Sequence, residues 1–330
     1  MKLKVFENSG FLILLTLLFS VSSFAGHLGV DNASRQVLES SHTETLYTSK
    51  GVLAESIFVI DRFSQEQRFA APMGVFYDKH RDEIYVADTG NDQVDIFDAN
   101  GQPLFQIRSD QGLDAPLDVV VTRENQIYIS QKGVSHLQLF DFRGRHLAAF
   151  QGPDSSPFKP GRMCLDAEGN LYVADRERAK ILVYDSQGYI RFQFGGKGEG
   201  EGEFRLISGI AVDSSGRIYV ADSKQRPIQV FDRNGQFLMT FGSHGHRNEE
   251  FSFPGGICVD EKDRLWVVDT FSHKVKIFGA DGSFLSQFGS FGTKAGQLFF
   301  PVDLALDGHG RAYILEKGAN RLQVFDVKDQ

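Results

Sequence analysis

Three histidines carry the residue type nearest to a metal site: His244 and His246, two positions apart, and His273 further on. Neutral imidazole nitrogens suit Zn2+ or Cu2+. The alternating stretch Gly198-Glu199-Gly200-Glu201-Gly202-Glu203 offers carboxylates and carbonyls, the oxygen ligands of Ca2+, and equally describes a solvated connector. These residues do not compel a cofactor; Ca2+ and Zn2+ are the ions their types could hold. Cys164 and Cys258 are far apart, with no C-x-x-C pair, so the sequence holds no dithiol redox motif and no haem-attachment motif.

The most repeated charged residue is an aspartate: Asp88, Asp175, Asp222 and Asp269. A short acidic side chain after a strand accepts backbone N–H bonds from the turn that follows, so this set reads as structural. It closes a recurring phrase. Ile84-Tyr85-Val86-Ala87-Asp88 returns as Ile127-Tyr128-Ile129-Ser130-Gln131, Leu171-Tyr172-Val173-Ala174-Asp175 and Ile218-Tyr219-Val220-Ala221-Asp222. Leu265-Trp266-Val267-Val268-Asp269 and Ala312-Tyr313-Ile314-Leu315-Glu316 complete the set. The aromatic residue recurs at steps of 43, 44, 47, 47 and 47. That period is one four-stranded propeller blade.

The elements inside one period agree. In the fourth unit, apolar runs at 209–213, 218–222, 228–231 and 237–241 are separated by Ser214-Ser215-Gly216 and Asp232-Arg233-Asn234-Gly235. β-Branched and aromatic runs punctuated by Gly, Asn and Asp make successive hairpins. The turn glycine recurs as Gly101, Gly144, Gly188, Gly235 and Gly282, where a positive φ is expected. The predicted fold is all-β: a six-bladed β-propeller of four-stranded antiparallel blades. The sixth unit holds only three strands, so the segment from Ser56 to Ser64 is expected to complete it and close the ring from the N-terminal side.

Phe69-Ala70-Ala71-Pro72-Met73-Gly74, then Tyr85-Val86-Ala87-Asp88-Thr89-Gly90-Asn91, then Val94-Asp95-Ile96-Phe97 resembles an NHL repeat, and the resemblance runs through nearly all of 56–330. It implies a range of roles. Some six-bladed relatives are enzymes: amidating lyases hold zinc near the channel, and lactonase-like propellers hold Ca2+ with acidic and Asn residues. The residue two after each blade's proline position should line the channel; around the ring it is Gly74, Asp118, Arg162, Gly209, Gly256 and Asp303. No histidine occurs there, which does not support the zinc site, whereas Asp118 and Asp303 leave Ca2+ open. Other NHL proteins bind RNA or support ubiquitin ligases, roles that need a basic surface or an attached RING domain.

The first 25 residues stand apart. Lys2 and Lys4 precede an apolar run, 11–24, and Ser23-Phe24-Ala25 supplies small residues at its end. This reads as a secretory signal cut before Gly26, leaving no integral membrane segment. Residues 26–55 are then a flexible leader and 56–330 the propeller. The chain of 330 residues has net charge −8, and loss of Lys2, Lys4 and Glu7 would leave −9. That balance and export both argue against a nucleic-acid partner. The expectation is a periplasmic or extracellular, non-catalytic binding or scaffold protein that recognises a protein or a polar ligand. A metal-dependent lyase or lactonase and a structural part of an envelope assembly are the alternatives. Residues that escape the repeat are the best candidates for contact: Asp118, Arg162 and Asp303 at the channel, and Lys132, Arg176 and Lys317 after the repeated acid. Glu316 joins them because it departs from the Asp pattern itself.

Overall fold

A computed structural model describes residues 52–153 and 158–329, together with the backbone of 35–37. The expected signal segment 1–25 lies outside the described residues, as does most of the leader. Among the described residues no helix is long and apolar enough to cross a membrane.

Six antiparallel sheets follow one another in chain order, five of them with four strands. Their innermost strands are Gly74–Asp78, Pro116–Val121, Pro160–Leu165, Ile207–Val212, Pro254–Val259 and Pro301–Leu306, each next to the one that follows, with the last beside the first. The ring is therefore complete. The second strands carry the repeated phrase and are buried on both faces, because a neighbouring blade packs against each side. One inter-blade layer shows the principle: Tyr85, Val94 and Ile107 of blade one pack with Val119, Ile129 and Phe140 of blade two. Burial relaxes outward, and the outer strand His146–Gln151 is largely exposed.

The ring closes as the sequence predicts, with a strand that lies four residues nearer the N-terminus than the expected 56–64. Val52–Ile60 pairs antiparallel with Arg321–Asp329, from Val52 opposite Asp329 to Ile60 opposite Leu322. The strand thus begins at 52, inside the segment expected to be leader. Arg35–Val37 adds a fifth strand to this sheet by pairing with Phe58, Val59 and Ile60. Side chains alternate along the closing strand, with Phe58 and Ile60 fully buried, so the register is fixed by which face meets the core.

The turn glycines do have positive φ, for example 78° at Gly235 and 82° at Gly282. They are constrained a second time. A Cβ on Gly235 would lie 2.7 Å from the Phe194 ring, and one on Gly282 would lie 2.8 Å from Phe241. The missing side chain lets the outer strand of the preceding blade pack over the turn.

The repeated acids are structural, though their partners sit elsewhere than expected. They chiefly clamp the connector that leads into their own blade. Asp88 accepts Ala70 N–H at 2.7 Å, and Asp269 accepts Phe253 N–H at 2.9 Å. Only some also bond the following turn, as Asp222 does with Lys224 N–H at 2.9 Å. Glu316 does the same work, accepting Phe299 N–H at 2.7 Å and pairing with Arg321 at 2.6 Å. Gln131 takes Asp114 N–H. A second series escaped sequence reading: Asp166, Asp213, Asp260 and Asp307 accept from the repeated aromatic residue, at 2.9 Å from Trp266 Nε1 and 3.0 Å from Tyr219.

Candidate functional site

The inner strands bring the channel residues together. Asp118, Arg162, Gly209, Gly256 and Asp303 line its lower part, a cavity of about 200 Å³. The glycines are required by their neighbours: a Cβ on Gly256 would stand 1.8 Å from Asp303 Oδ1, and one on Gly74 would stand 2.8 Å from Asp118 Oδ1. Arg162, from blade three, crosses the axis to blade six. Its Nη1 donates to Asp303 Oδ2 at 2.9 Å, and Nη2 donates to Val302 O at 3.3 Å.

Both carboxylates accept backbone N–H groups. Asp303 Oδ2 also accepts Val75 N–H at 3.0 Å. Asp118 accepts Met163 N–H at 2.8 Å and Val119 N–H at 3.0 Å. Burial pushes the Asp118 carboxyl up to about 7; Arg162 and the two N–H groups oppose that, and the charge of Asp303 adds to it. Burial also raises Asp303, against the pull of Arg162. For Arg162, burial works against the charge, yet the two carboxylates outweigh it and raise its pKa. The trio is an internal strut. It does not fit a divalent cation, because the guanidinium already supplies the positive charge that Asp303 needs.

The strut floors a second, wider space. A cavity of about 610 Å³ opens above it, and Arg162 borders both. Its wall is mainly apolar: Met73, Leu117, Leu206, Ile207, Phe253, Phe271, Phe300 and Val302. Ser208, Ser223 and Thr270 add hydroxyls, and Arg176 and Lys317 add charge. Sequence reasoning expected a polar or charged site here, centred on Asp118, Arg162 and Asp303 with Arg176 at the rim. The structure corrects this. Asp118 and Asp303 lie beneath the floor, and the open bowl holds Arg176 and Lys317 against an apolar wall.

Three positions show how the basic residues escape the repeat. In blades one and four a hydroxyl follows the acid and bonds the neighbouring blade: Thr89 donates to Pro116 O and Ser223 to Pro254 O, both at 2.7 Å. Lys132, Arg176 and Lys317 occupy that position in blades two, three and six. The Arg176 stem lies over Gly161, whose Cβ would meet Arg176 Cγ at 2.7 Å. Its Nε donates to Pro160 O at 3.3 Å, and burial lowers its pKa while Asp175 opposes this. Neither Arg176 nor Lys317 pairs with a carboxylate among the described residues. Lys132 is exposed and outside the bowl lining. Glu316, fully buried and bonded to Arg321, is not a contact residue.

The aromatic wall was not read from the sequence. Phe253 and Phe300 stand just before Pro254 and Pro301, where other blades have Ala71, Ala115 and Lys159. Ala71 and Ala115 adopt φ of 48° and 45° in this turn, and Phe300 is held at 49°. A bulky side chain rarely takes that conformation. Its signal was a large ring at a turn position that blades one and two fill with alanine.

The histidines do not come together as a metal site. Among the described residues no group of three or more His, Cys, Asp or Glu side chains is arranged to hold an ion. His273 Nδ1 instead accepts Phe300 N–H at 3.2 Å, with its ring against Phe291 and Phe300. His244 lies in a bridge to Phe251, and His246 donates its N–H to Glu250. The glycine–glutamate stretch forms the same kind of connector: Glu203 accepts Gly200 N–H at 2.9 Å and Glu199 pairs with Arg205.

Comparison with known proteins agrees with this architecture. A family model described as a 6-bladed beta-propeller matches residues 147–226 and 213–290. Protein brain tumor of Drosophila melanogaster is 27% identical over 136 residues, which is 39% of this chain and 13% of that relative's length. A solved gluconolactonase, XC5397 from Xanthomonas campestris, superimposes with TM-score 0.61 at 14% identity, covering 84% of this chain and 90% of the other. Virginiamycin B lyase from Staphylococcus aureus gives 0.58 at 10% identity, covering 85% and 99%. With six blades in register, each built on the repeated phrase, the chain is a six-bladed β-propeller whose repeats resemble NHL repeats.

Proposed function

We propose that this propeller is an exported binding module, periplasmic or extracellular, that holds its ligand or the tip of a protein partner in the bowl above Arg162. One observation carries the reading: Arg176 and Lys317 face a concave, largely apolar space without carboxylate partners, while every acid near the channel is committed elsewhere. Concave, mainly apolar sites with a few placed polar groups are the usual form of a ligand pocket, and about 610 Å³ falls within their size range. A screen of the full chain by thermal shift against small metabolites tests it. A hit should lose its effect in Arg176→Ala and keep it in Arg143→Ala, a surface variant in an opposite-face turn. Hits indifferent to Arg176 would place the binding surface elsewhere.

The enzyme reading draws its support from the gluconolactonase and lyase among the fold neighbours, which at 14% and 10% identity share architecture with this chain. It would need its chemistry on Asp118 and Asp303, which already accept backbone N–H groups and, at Asp303, the Arg162 guanidinium. Metal analysis of protein purified without chelator separates the two: stoichiometric Ca2+ or Zn2+ would favour the enzyme.

A further inference from the structure

The bowl is one-sided in charge. Its ionisable groups are Arg162, Arg176 and Lys317, and no carboxylate lines it. Arg162 is neutralised by Asp303, which leaves Arg176 as the guanidinium of the bowl with no carboxylate partner among the described residues. Leu206 of blade four and the rings of Phe253 and Phe271 of blade five continue around the ring from Arg176. Phe253 and Phe271 pack tilted at 34° with centroids 4.8 Å apart, and Phe300 meets Phe271 edge-on at 6.0 Å. Phe271 nonetheless remains 53% exposed. A wall of mutually braced rings facing water gains by covering, since apolar area removed from water is favourable.

Charge and wall together define one kind of occupant. A planar guanidinium without an anion is matched to a carboxylate, which it can hold through two parallel N–H bonds. The apolar wall asks for hydrocarbon. We propose that the bowl binds an amphipathic organic acid, with its carboxylate on Arg176 and its hydrocarbon or aromatic body laid across Leu206 and Phe271; Lys317, facing from blade six, adds positive potential. This rests on the reading of the bowl as the binding site and names the chemistry of its ligand. Below the bowl the Arg162 charge is already met by Asp303, so the floor adds no free cation to the site.

The test is calorimetric titration of the full chain with decanoate and, separately, with decanol, at low ionic strength. Decanoate should bind one to one and at least tenfold more tightly than decanol. Arg176→Ala should abolish that preference, Lys317→Ala should reduce it less, and Phe271→Ser should weaken both ligands. Unchanged melting temperatures of the three variants show that the fold is intact. If decanol matches decanoate while Phe271→Ser still abolishes binding, the anion is wrong and the bowl stands. If neither ligand binds, or Phe271→Ser and Arg176→Ala leave both affinities unchanged, the bowl itself is not the site and both readings fall.

Discussion

The Arg162 guanidinium reaches Asp303 Oδ2 at 2.9 Å from the opposite side of a six-membered ring. Both side chains are nearly buried, at 14% and 11% exposure. A blade-to-blade pair across the axis ties together halves of the propeller that otherwise meet only through their neighbours. Removing one partner of such a pair strands the other charge, which costs about 3–5 kcal/mol. Arg162→Met should therefore destabilise the protein by about 3 kcal/mol in urea unfolding. Arg162→Met with Asp303→Asn should recover much of that loss, because the amide oxygen still accepts Val75 N–H and the Asp303 charge is no longer stranded. Additive losses in the double variant would show that the strut is not energetically coupled.

A different blade holds the acid that should govern pH dependence. Blade five pairs buried Asp269 with Lys276 at 3.0 Å, but at the same register blade one has Asp88 and Asp95. Burial pushes Asp88 up to about 6 and Asp95 up to about 7. Gln93 and Gln106 donate to Asp95 Oδ1, Arg108 draws its pKa down, and the charge of Asp88 draws it up. A folded pKa raised above the unfolded value of about 3.9 means that the native state holds the proton more tightly. Stability from this group is then full below about pH 4 and is lost as pH rises through about 7. Asp95→Asn should remove this slope, gaining on the order of 2 kcal/mol over the parent at pH 8 and little at pH 4. Melting temperatures across that range decide it; parallel curves for parent and variant would sink the assignment.

The fold was legible because six copies of one phrase impose the same hydrophobic alternation six times, and a missing outer strand has only one place to come from. The candidate site was legible in part. Arg162, Arg176 and Lys317 stood out by departing from their repeat, and the structure places all three around the bowl. Glu316 departed too, yet it preserves the function of the aspartate with one more methylene, accepting Phe299 N–H. A departure in residue type is therefore not a departure in role when the bonding group survives. The aromatic wall is hidden in the sequence because Phe253 and Phe300 sit in connectors, outside the repeated strand pattern. The histidines failed as a set because connector geometry commits His273 to Phe300.

Cys164 and Cys258 occupy equivalent places, opposite Tyr172 and Trp266 on their inner strands, and both are unpaired. They belong to blades three and five, with blade four between them. Burial pushes both thiols well above their ordinary range, with nearby aspartates adding to it. Thiolate is the reactive form, so both should resist alkylation at pH 7.5 in the folded protein. Denaturation without reductant should make both label fully, as mass spectrometry would show. A disulfide-linked peptide pair would mean that the blade register is wrong.

The closing strand should be the most consequential nine residues in the molecule. Val52–Ile60 covers the edge of Arg321–Asp329, and its Ser56 hydroxyl donates to Gln323 Oε1 at 2.7 Å in the buried interior. Phe58 and Ile60 pack in the same core as Tyr77 of blade one and Tyr313 of blade six. The strand thus seals two blades and a sheet edge at once. Without it, the sixth blade presents an open row of backbone donors and acceptors, a template for association. A chain lacking residues through Ser64 should melt well below the full chain and should aggregate on concentration. Phe58→Ala keeps the backbone pairing and removes the ring; it should cost about 3–5 kcal/mol by cavity formation while the protein stays monomeric. Light scattering separates the two effects. A truncation that melts with the full chain and stays monomeric would mean that the ring does not depend on this strand for closure.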